Sequence, residues 1–296
     1  METAYANYIK SRRHKLIDMR IRCDYTGVTA FLVYGIISGL MNTLITGASS
    51  GIGEALALAS AKRGDTLFLA GRNEERLADV VRRCRELGAA DVRGTRLDVT
   101  DEEAVRAWIK ASDAVAPLER VFANAGIGTG VEDEQNVRTT FATNVGGVLN
   151  TVLPALEVFR TRGGGHRQIA ITASIAGYGP LKSCPAYSAT KSCAKTWGLA
   201  LRGMLRPEGI NVSVICPGFV RSRITEKNTC PMPFFLEADK AADIILARLD
   251  RNVGLIAFPW PMRLATWVLA SLPFRINELV NRLLPEKVSA GRPKVL

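Results

Sequence analysis

At 296 residues and 47% hydrophobic content, the chain has the length for one α/β domain or two small ones and enough apolar material for a sizeable core. The formal charge of +11 is uneven, with net +3 over residues 1–40 and net +5 over 251–296. No aromatic-and-basic motif accompanies it, which argues against nucleic acid and for an anionic membrane surface.

Only two histidines occur, His14 and His166, which disfavours a His-based metal site or a Ser-His-Asp hydrolase; His166 follows three glycines and reads as an exposed loop residue. The six cysteines form no C-x-x-C pair and read as reduced thiols of a cytoplasmic protein. In residues 1–40, six basic side chains precede an apolar run from Val28 to Leu40. That order resembles an anchor or signal, yet 13 residues fall short of the ~20 needed to span a bilayer. The other reading is an extension ahead of a natural start at Met41.

From Met41 the pattern alternates. Strands are expected at 42–46, 66–70, 92–97, 120–123, 168–173, 211–215 and 254–258, with helices at 74–87, 101–111, 141–160 and 186–205 among others. Such alternation predicts a doubly wound parallel sheet, with ligands beyond the carboxyl ends of the strands. The first strand runs into Thr46-Gly47-Ala48-Ser49-Ser50-Gly51-Ile52-Gly53 and then an alanine-rich helix former. At a strand-to-helix turn, Gly47 would allow the tight bend, Gly51 the approach of a pyrophosphate, and Gly53 close packing of the helix, whose N–H groups face the phosphates.

After strand two comes Gly71-Arg72 instead of the acid that takes ribose hydroxyls in NAD-selective sites, and a guanidinium suits a 2′-phosphate. Asp98-Val99 after strand three could set an adenine, and Asn124-Ala125-Gly126 after strand four lets backbone pass close to a cofactor. Ser174 ends the fifth strand, and 13 residues later Tyr187 and Lys191 stand at i and i+4 on one helix face. A Y-x-x-x-K alone usually marks a solvated helix. Behind a strand-end serine and downstream of the glycine turn, it is specific.

In these residues the chain resembles the short-chain dehydrogenase/reductase family over about 41–258. Thr46-Gly47-x-x-x-Gly51-x-Gly53, Asp98-Val99, Asn124-Ala125-Gly126, Asn144, Ser174, Tyr187-x-x-x-Lys191 and Pro217-Gly218 come in family order, while Ala123 and Ser222 are minor departures. The resemblance implies a Rossmann fold, an NAD(P)-dependent oxidoreductase, and a catalytic set of Asn144, Ser174, Tyr187 and Lys191. It also implies cofactor contacts from Gly47, Ser49, Ser50, Gly51, Ile52, Gly53, Arg72, Asp98, Val99, Asn124, Ala125, Gly126, Tyr187, Lys191, Pro217, Gly218, Val220 and Ser222, and a homodimer or homotetramer. In that scheme the Lys191 ammonium lowers the Tyr187 pKa from its ordinary value near 10. Ser174 donates to the developing alkoxide, and Asn144 holds a water behind Lys191.

The 219–237 loop, with Pro231-Met232-Pro233-Phe234-Phe235, reads either as an apolar lid over substrate or as a loop packed on the body. Beyond 258, Met262–Ser271 and the Ile276, Leu279, Val280, Leu283, Leu284 pattern form an amphipathic helical extension, 259–296. Its readings are a peripheral membrane contact through 260–287, on the inner face of a membrane, or a cap or dimer contact. The expectation is therefore an NADPH-preferring enzyme, NAD(H) being the alternative, that moves hydride to or from an apolar carbonyl or alcohol without a metal. An NAD-dependent sugar or polyol dehydrogenase and a non-catalytic dinucleotide-binding scaffold are the alternatives.

Overall fold

Every residue of β1 (Asn42–Thr46) is buried, and the sheet grows outward from that strand on both sides. The computed structural model describes residues 40–128, 130–226 and 232–283, the side chains at 274 and 281–283 excepted. The N-terminal apolar run up to Gly39, Cys23, Cys230, Pro231 and the basic residues after 283 lie outside them. Strands β2 (Thr66–Gly71), β3 (Asp91–Arg96), β4 (Arg120–Ala123), β5 (Gln168–Thr172), β6 (Asn211–Pro217) and β7 (Leu255–Phe258) join β1 in one sheet of order β3-β2-β1-β4-β5-β6-β7. All six pairings are parallel. Order reverses between β1 and β4, which opens a crevice at their carboxyl ends.

Parallel neighbours require crossovers, and the connecting helices cover both faces. Alternation along the strands sorts the core: Leu44, Val121, Ile169 and Val214 face one layer, and Ile45, Phe122, Ala170 and Ile215 the other. The first layer is α3 (Glu102–Val115), α5 (Gly147–Arg162) and α6 (Pro185–Leu205), which bring Ile109, Phe159 and Leu205 to the sheet. The second is α1 (Gly51–Lys62), α2 (Glu74–Glu86) and α8 (Ala238–Asp250), with Leu56, Leu77 and Ile245.

Strand positions agree with expectation to within two residues. The single helix expected over 141–160 is instead α4 (Glu134–Phe141), a wide π-helical turn at Ala142–Gly146, and α5. Neither α8 nor the short α7 (Arg223–Glu226) is among the expected helices. In the extension, α9 (Trp260–Ser271) starts two residues before Met262, because Pro261 fits a first helical turn. The amide of Asn277 in α10 (Phe274–Leu283) donates to the Leu269 carbonyl at 2.8 Å and ties the two helices together. Among the described residues, no helix is long and apolar enough to cross a membrane.

At the amino ends of the strands a buried polar network holds structure. Arg120 is 1% exposed, donates to Gln168 Oε1 at 2.8 Å and pairs with Asp250 at 2.9 Å. Asp65, equally buried, accepts the Met41 amide at 2.9 Å. His166 is not the exposed loop residue that its glycines suggest, since it is partly buried and burial lowers its pKa. Cys84, Cys184, Cys193 and Cys216 carry thiols rather than disulfides.

Candidate active site

The three glycines of the first turn are each required for a separate reason. Gly47 has φ +69°, and a Cβ there would stand 2.8 Å from Ala125 Cα. Gly51 has φ +58°, and its Cβ would meet Ser222 Cβ at 2.9 Å, so this glycine serves the backbone fold and the β6 loop as well as any approaching ligand. A Cβ on Gly53 would lie 2.2 Å from the Gly47 carbonyl oxygen, which explains the close helix packing. The N-terminal residues Asn73, Asp101 and Asp133 cap α2, α3 and α4 with their side chains, whereas Ser50 makes no such bond at α1. The N–H groups of Gly51, Ile52 and Gly53 at that end fit a phosphate.

At the next strand end, a Cβ on Gly71 would meet Ser49 Cβ and Oγ at 2.8 Å. An acid at 71 could enter only by displacing Ser49. Arg72 is 56% exposed and faces Asp98 across 3.8 Å. The Asp98 carboxylate also accepts the Thr100 amide and hydroxyl at 3.0 and 2.9 Å, while Val99 packs on Gly147 at the start of α5. Thr46, which sequence reasoning passed over as a site residue, joins the two halves of the crevice. Its Oγ1 accepts the amides of Asn124 and Ala125 at 3.0 and 3.2 Å. Asn124 in turn donates to the Thr46 carbonyl at 3.1 Å and accepts the Thr172 hydroxyl at 3.1 Å, linking β1, β4 and β5.

Ser174 lies beyond β5 and caps a 3₁₀ turn (Ile175–Tyr178), its Oγ accepting the Ala176 amide at 3.1 Å. The same hydroxyl donates to the Pro217 carbonyl at 3.4 Å and stands near enough to Tyr187 to pull its pKa down. Lys191 is buried, donates to the Thr172 carbonyl at 2.9 Å, and holds its ammonium 5.8 Å from the Tyr187 ring centre. Asn144 sits inside the π-helical turn, so the distortion and the polar residue coincide. Its Oδ1 accepts the Ile127 amide at 2.8 Å, and its Nδ2 donates to the Ile127 carbonyl at 2.9 Å and Thr190 Oγ1 at 3.2 Å. A Cβ on Gly126 would stand 3.1 Å from Lys191 Nζ and 3.2 Å from Asn144 Oδ1, so that glycine brings the two side chains together. Glu132, also missed, accepts the Ala186 amide at the start of α6 at 3.2 Å.

The electrostatics correct one expectation. Burial pushes Tyr187 up to about 12, against the pull of Ser174, and burial brings Lys191 down to about 8. The ammonium is turned toward Thr172 and the ring face, so desolvation outweighs any lowering of the phenol by Lys191. The arrangement keeps a protonated tyrosine next to a serine hydroxyl.

The β6 end and the extension form the outer wall. A Cβ on Gly218 would meet Pro259 Cδ at 2.9 Å, Met262 Sδ at 3.2 Å and Ile175 Cδ1 at 3.3 Å. Val220 bridges to Leu236, and the Leu236 amide donates to Phe219 at 2.9 Å, closing the base of the 219–237 loop. Ser222 is held beside the glycine turn by its backbone N–H, which donates to Thr225 Oγ1 at 2.9 Å. Phe234 is 58% exposed, and Phe235 lies under the Arg221 guanidinium at 5.3 Å, so neither is packed away in the body.

A doubly wound parallel sheet with a glycine turn at its switch point and a Ser-Tyr-Lys cluster beside it defines a nicotinamide-dependent oxidoreductase frame. The family model described as short chain dehydrogenase matches residues 41–231, and the chain belongs to the short-chain dehydrogenase/reductase family. An uncharacterized oxidoreductase of Myxococcus xanthus is 37% identical over 246 residues, covering 81% of this chain and 96% of that one. The 11-beta-hydroxysteroid dehydrogenase A of Sesamum indicum is 34% identical over 284 residues, covering 86% and 79%. Among solved structures, a short-chain dehydrogenase from Sphingobium yanoikuyae in complex with NADPH has a TM-score of 0.68 at 25% identity, covering 82% and 93%. A member from Burkholderia phymatum in complex with NAD has 0.71 at 25% identity, covering 86% and 98%. The chain is an NAD(P)-dependent oxidoreductase of this family.

Proposed function

We propose that the protein is an NADPH-preferring reductase of apolar ketones or aldehydes, with Ser174, Tyr187, Lys191 and Asn144 as its working set. The observation that carries this reading is the Lys191 ammonium 5.8 Å from the Tyr187 ring centre and beside Asn144 across Gly126, with Ser174 near enough to act on the Tyr187 pKa. When bound, the reduced nicotinamide supplies a hydride to the carbonyl carbon. Ser174 donates to the carbonyl oxygen, where negative charge develops, and Tyr187 delivers its proton to that oxygen. A tyrosine held near 12 is protonated throughout the neutral range, which favours the reductive direction. Lys191 restores the proton balance on the phenolate and reaches ribose hydroxyls; Asn144, by locking Ile127 and Thr190, positions Lys191 across Gly126.

The cofactor preference rests on position 71, closed to an acid by Ser49, and on the exposed guanidinium at 72. Asp98 at 3.8 Å from Arg72 is the feature that favours NAD(H), since a carboxylate there could take a ribose hydroxyl. The apolar substrate rests on Phe234, Phe235 and Met262 around the mouth and agrees with the name of the Sesamum relative. A homodimer or homotetramer is carried over from the family. The test is a panel of ketones of rising chain length, followed by NADPH and NADH absorbance. Turnover should rise with chain length and favour NADPH; a preference for polyols with NAD, or no turnover in either direction, would overturn the reading.

A further inference from the structure

Four of the six large apolar residues of α9 point away from the body. Trp260, Leu264, Trp267 and Val268 follow one another at i, i+4, i+7 and i+8 and are 73%, 50%, 57% and 45% exposed. Met262, on the opposite side, packs on the core. Ile276 and Leu279 extend the exposed apolar face onto α10. Scattered surface leucines are ordinary, but two tryptophans and four aliphatic residues on two linked helices form a patch that a partner must cover.

The charges beside the patch say what kind of partner. Arg263 and Arg275 are exposed next to it, and Glu278 is the only acid in residues 260–283. A second copy of this face would set those arginines against each other with one acid per chain to offset them. Anionic headgroups supply the missing charge, and tryptophan suits the boundary between headgroup and acyl chain.

The location couples this surface to the chemistry. The inner side of α9 sets Met262 against Gly218 and Ala270 against Gly179, and Arg263 neighbours Tyr178. Tyr178 ends the 3₁₀ turn that Ser174 begins. We infer that α9 and α10 dock the protein on an anionic lipid surface and that apolar substrate passes from that lipid to Ser174 and Tyr187 along the side of α9. The second half rests on the apolar-ketone reading; the first does not.

The experiment is flotation of the full-length protein with vesicles of phosphatidylcholine alone and of phosphatidylcholine with phosphatidylserine, at low and high salt. Binding should favour the anionic vesicles by about fivefold for each basic residue at the surface, the equivalent of about 1 kcal/mol, and should weaken with salt. Leu264→Glu combined with Trp267→Glu should reduce vesicle binding at least about tenfold, since it both removes apolar burial and adds like charge. The same variant should keep wild-type turnover on a short water-soluble ketone and lose the rate advantage on a long-chain ketone dissolved in the vesicles. No flotation, equal binding to neutral vesicles, or unchanged binding of the double variant would overturn the docking surface. A smaller oligomer for the variant in sedimentation would assign the face to chain–chain contact instead and overturn it as well. Flotation needs no turnover, so a failed reductase assay leaves the docking result readable. Flotation without faster reduction of the vesicle-borne ketone would overturn only the delivery route.

Discussion

Replacing Arg72 with alanine isolates the choice between the two nicotinamide cofactors. Its guanidinium is 56% exposed and, among the described residues, pairs with Asp98 at 3.8 Å, a surface pair worth at most about 1 kcal/mol to the fold, so removal should leave stability nearly unchanged. A charge-assisted hydrogen bond to a phosphate contributes about 1.5–3 kcal/mol, and exposure places this one at the lower end. The KM for NADPH should therefore rise about tenfold, each 1.4 kcal/mol being a factor of ten. NADH, which lacks the 2′-phosphate, should change by less than about twofold by the same reasoning. Arg72→Lys keeps a point charge without the fork and should fall between the two. Initial rates with each cofactor at saturating ketone measure all three. A parallel loss for NADPH and NADH would refute the reasoning and make Arg72 a structural partner of Asp98.

Tyr187→Phe should lower turnover by about 10²- to 10⁴-fold while cofactor binding, read by fluorescence quenching, stays intact; a variant near wild type would remove Tyr187 as proton donor. Because burial brings Lys191 down to about 8, its ammonium is present below that pH and lost above it, so ketone reduction should fall as pH rises through about 8. Lys191→Arg should move that limb to higher pH, and an unmoved limb would assign the titration to another group. Asp65 is raised from 3.8 to about 6 by burial, so between those values the folded state holds a proton that the unfolded state has released, and stability drops as pH rises. Asp65→Asn should cancel that drop, gaining up to about 3 kcal/mol over wild type between pH 4 and 7 in thermal or urea unfolding. A constant difference across that range would contradict the assignment.

What was legible in the sequence was local. Tyr187 and Lys191 are one helical turn apart, Ser174 follows its strand directly, and the glycines crowd into seven residues, so spacing alone brings them together. The strands were legible because doubly covered parallel strands are short, nearly continuous apolar runs. The partners that hold the crevice closed come from far along the chain: Thr46 meets Asn124 across 78 positions, and Glu132 meets Ala186 across 54. No pattern within a window reports such a pair. The direction of the Tyr187 shift escaped for a related reason. A sequence shows the neighbouring lysine but not the desolvation that packing imposes on both groups. Position 71 shows the opposite case: the missing acid is readable, while its physical cause, the Ser49 side chain where a Cβ on Gly71 would stand, comes from the fold.

The wide turn at Ala142–Gly146 bears on how this chain can change length over time. A π-helical turn accommodates one residue more than an α-helical path, so loss of a single residue there would let the segment relax to regular helix. Every later side chain of α5 would then swing by about 100° around the axis, the angle between successive residues of an α-helix. Val152, Leu156 and Phe159, now facing the sheet, would leave it, and Asn144 would lose Ile127 and Thr190 together. Deletions and insertions in this five-residue segment should thus be barred even where point substitutions are tolerated, making its length a stricter inheritance than its composition.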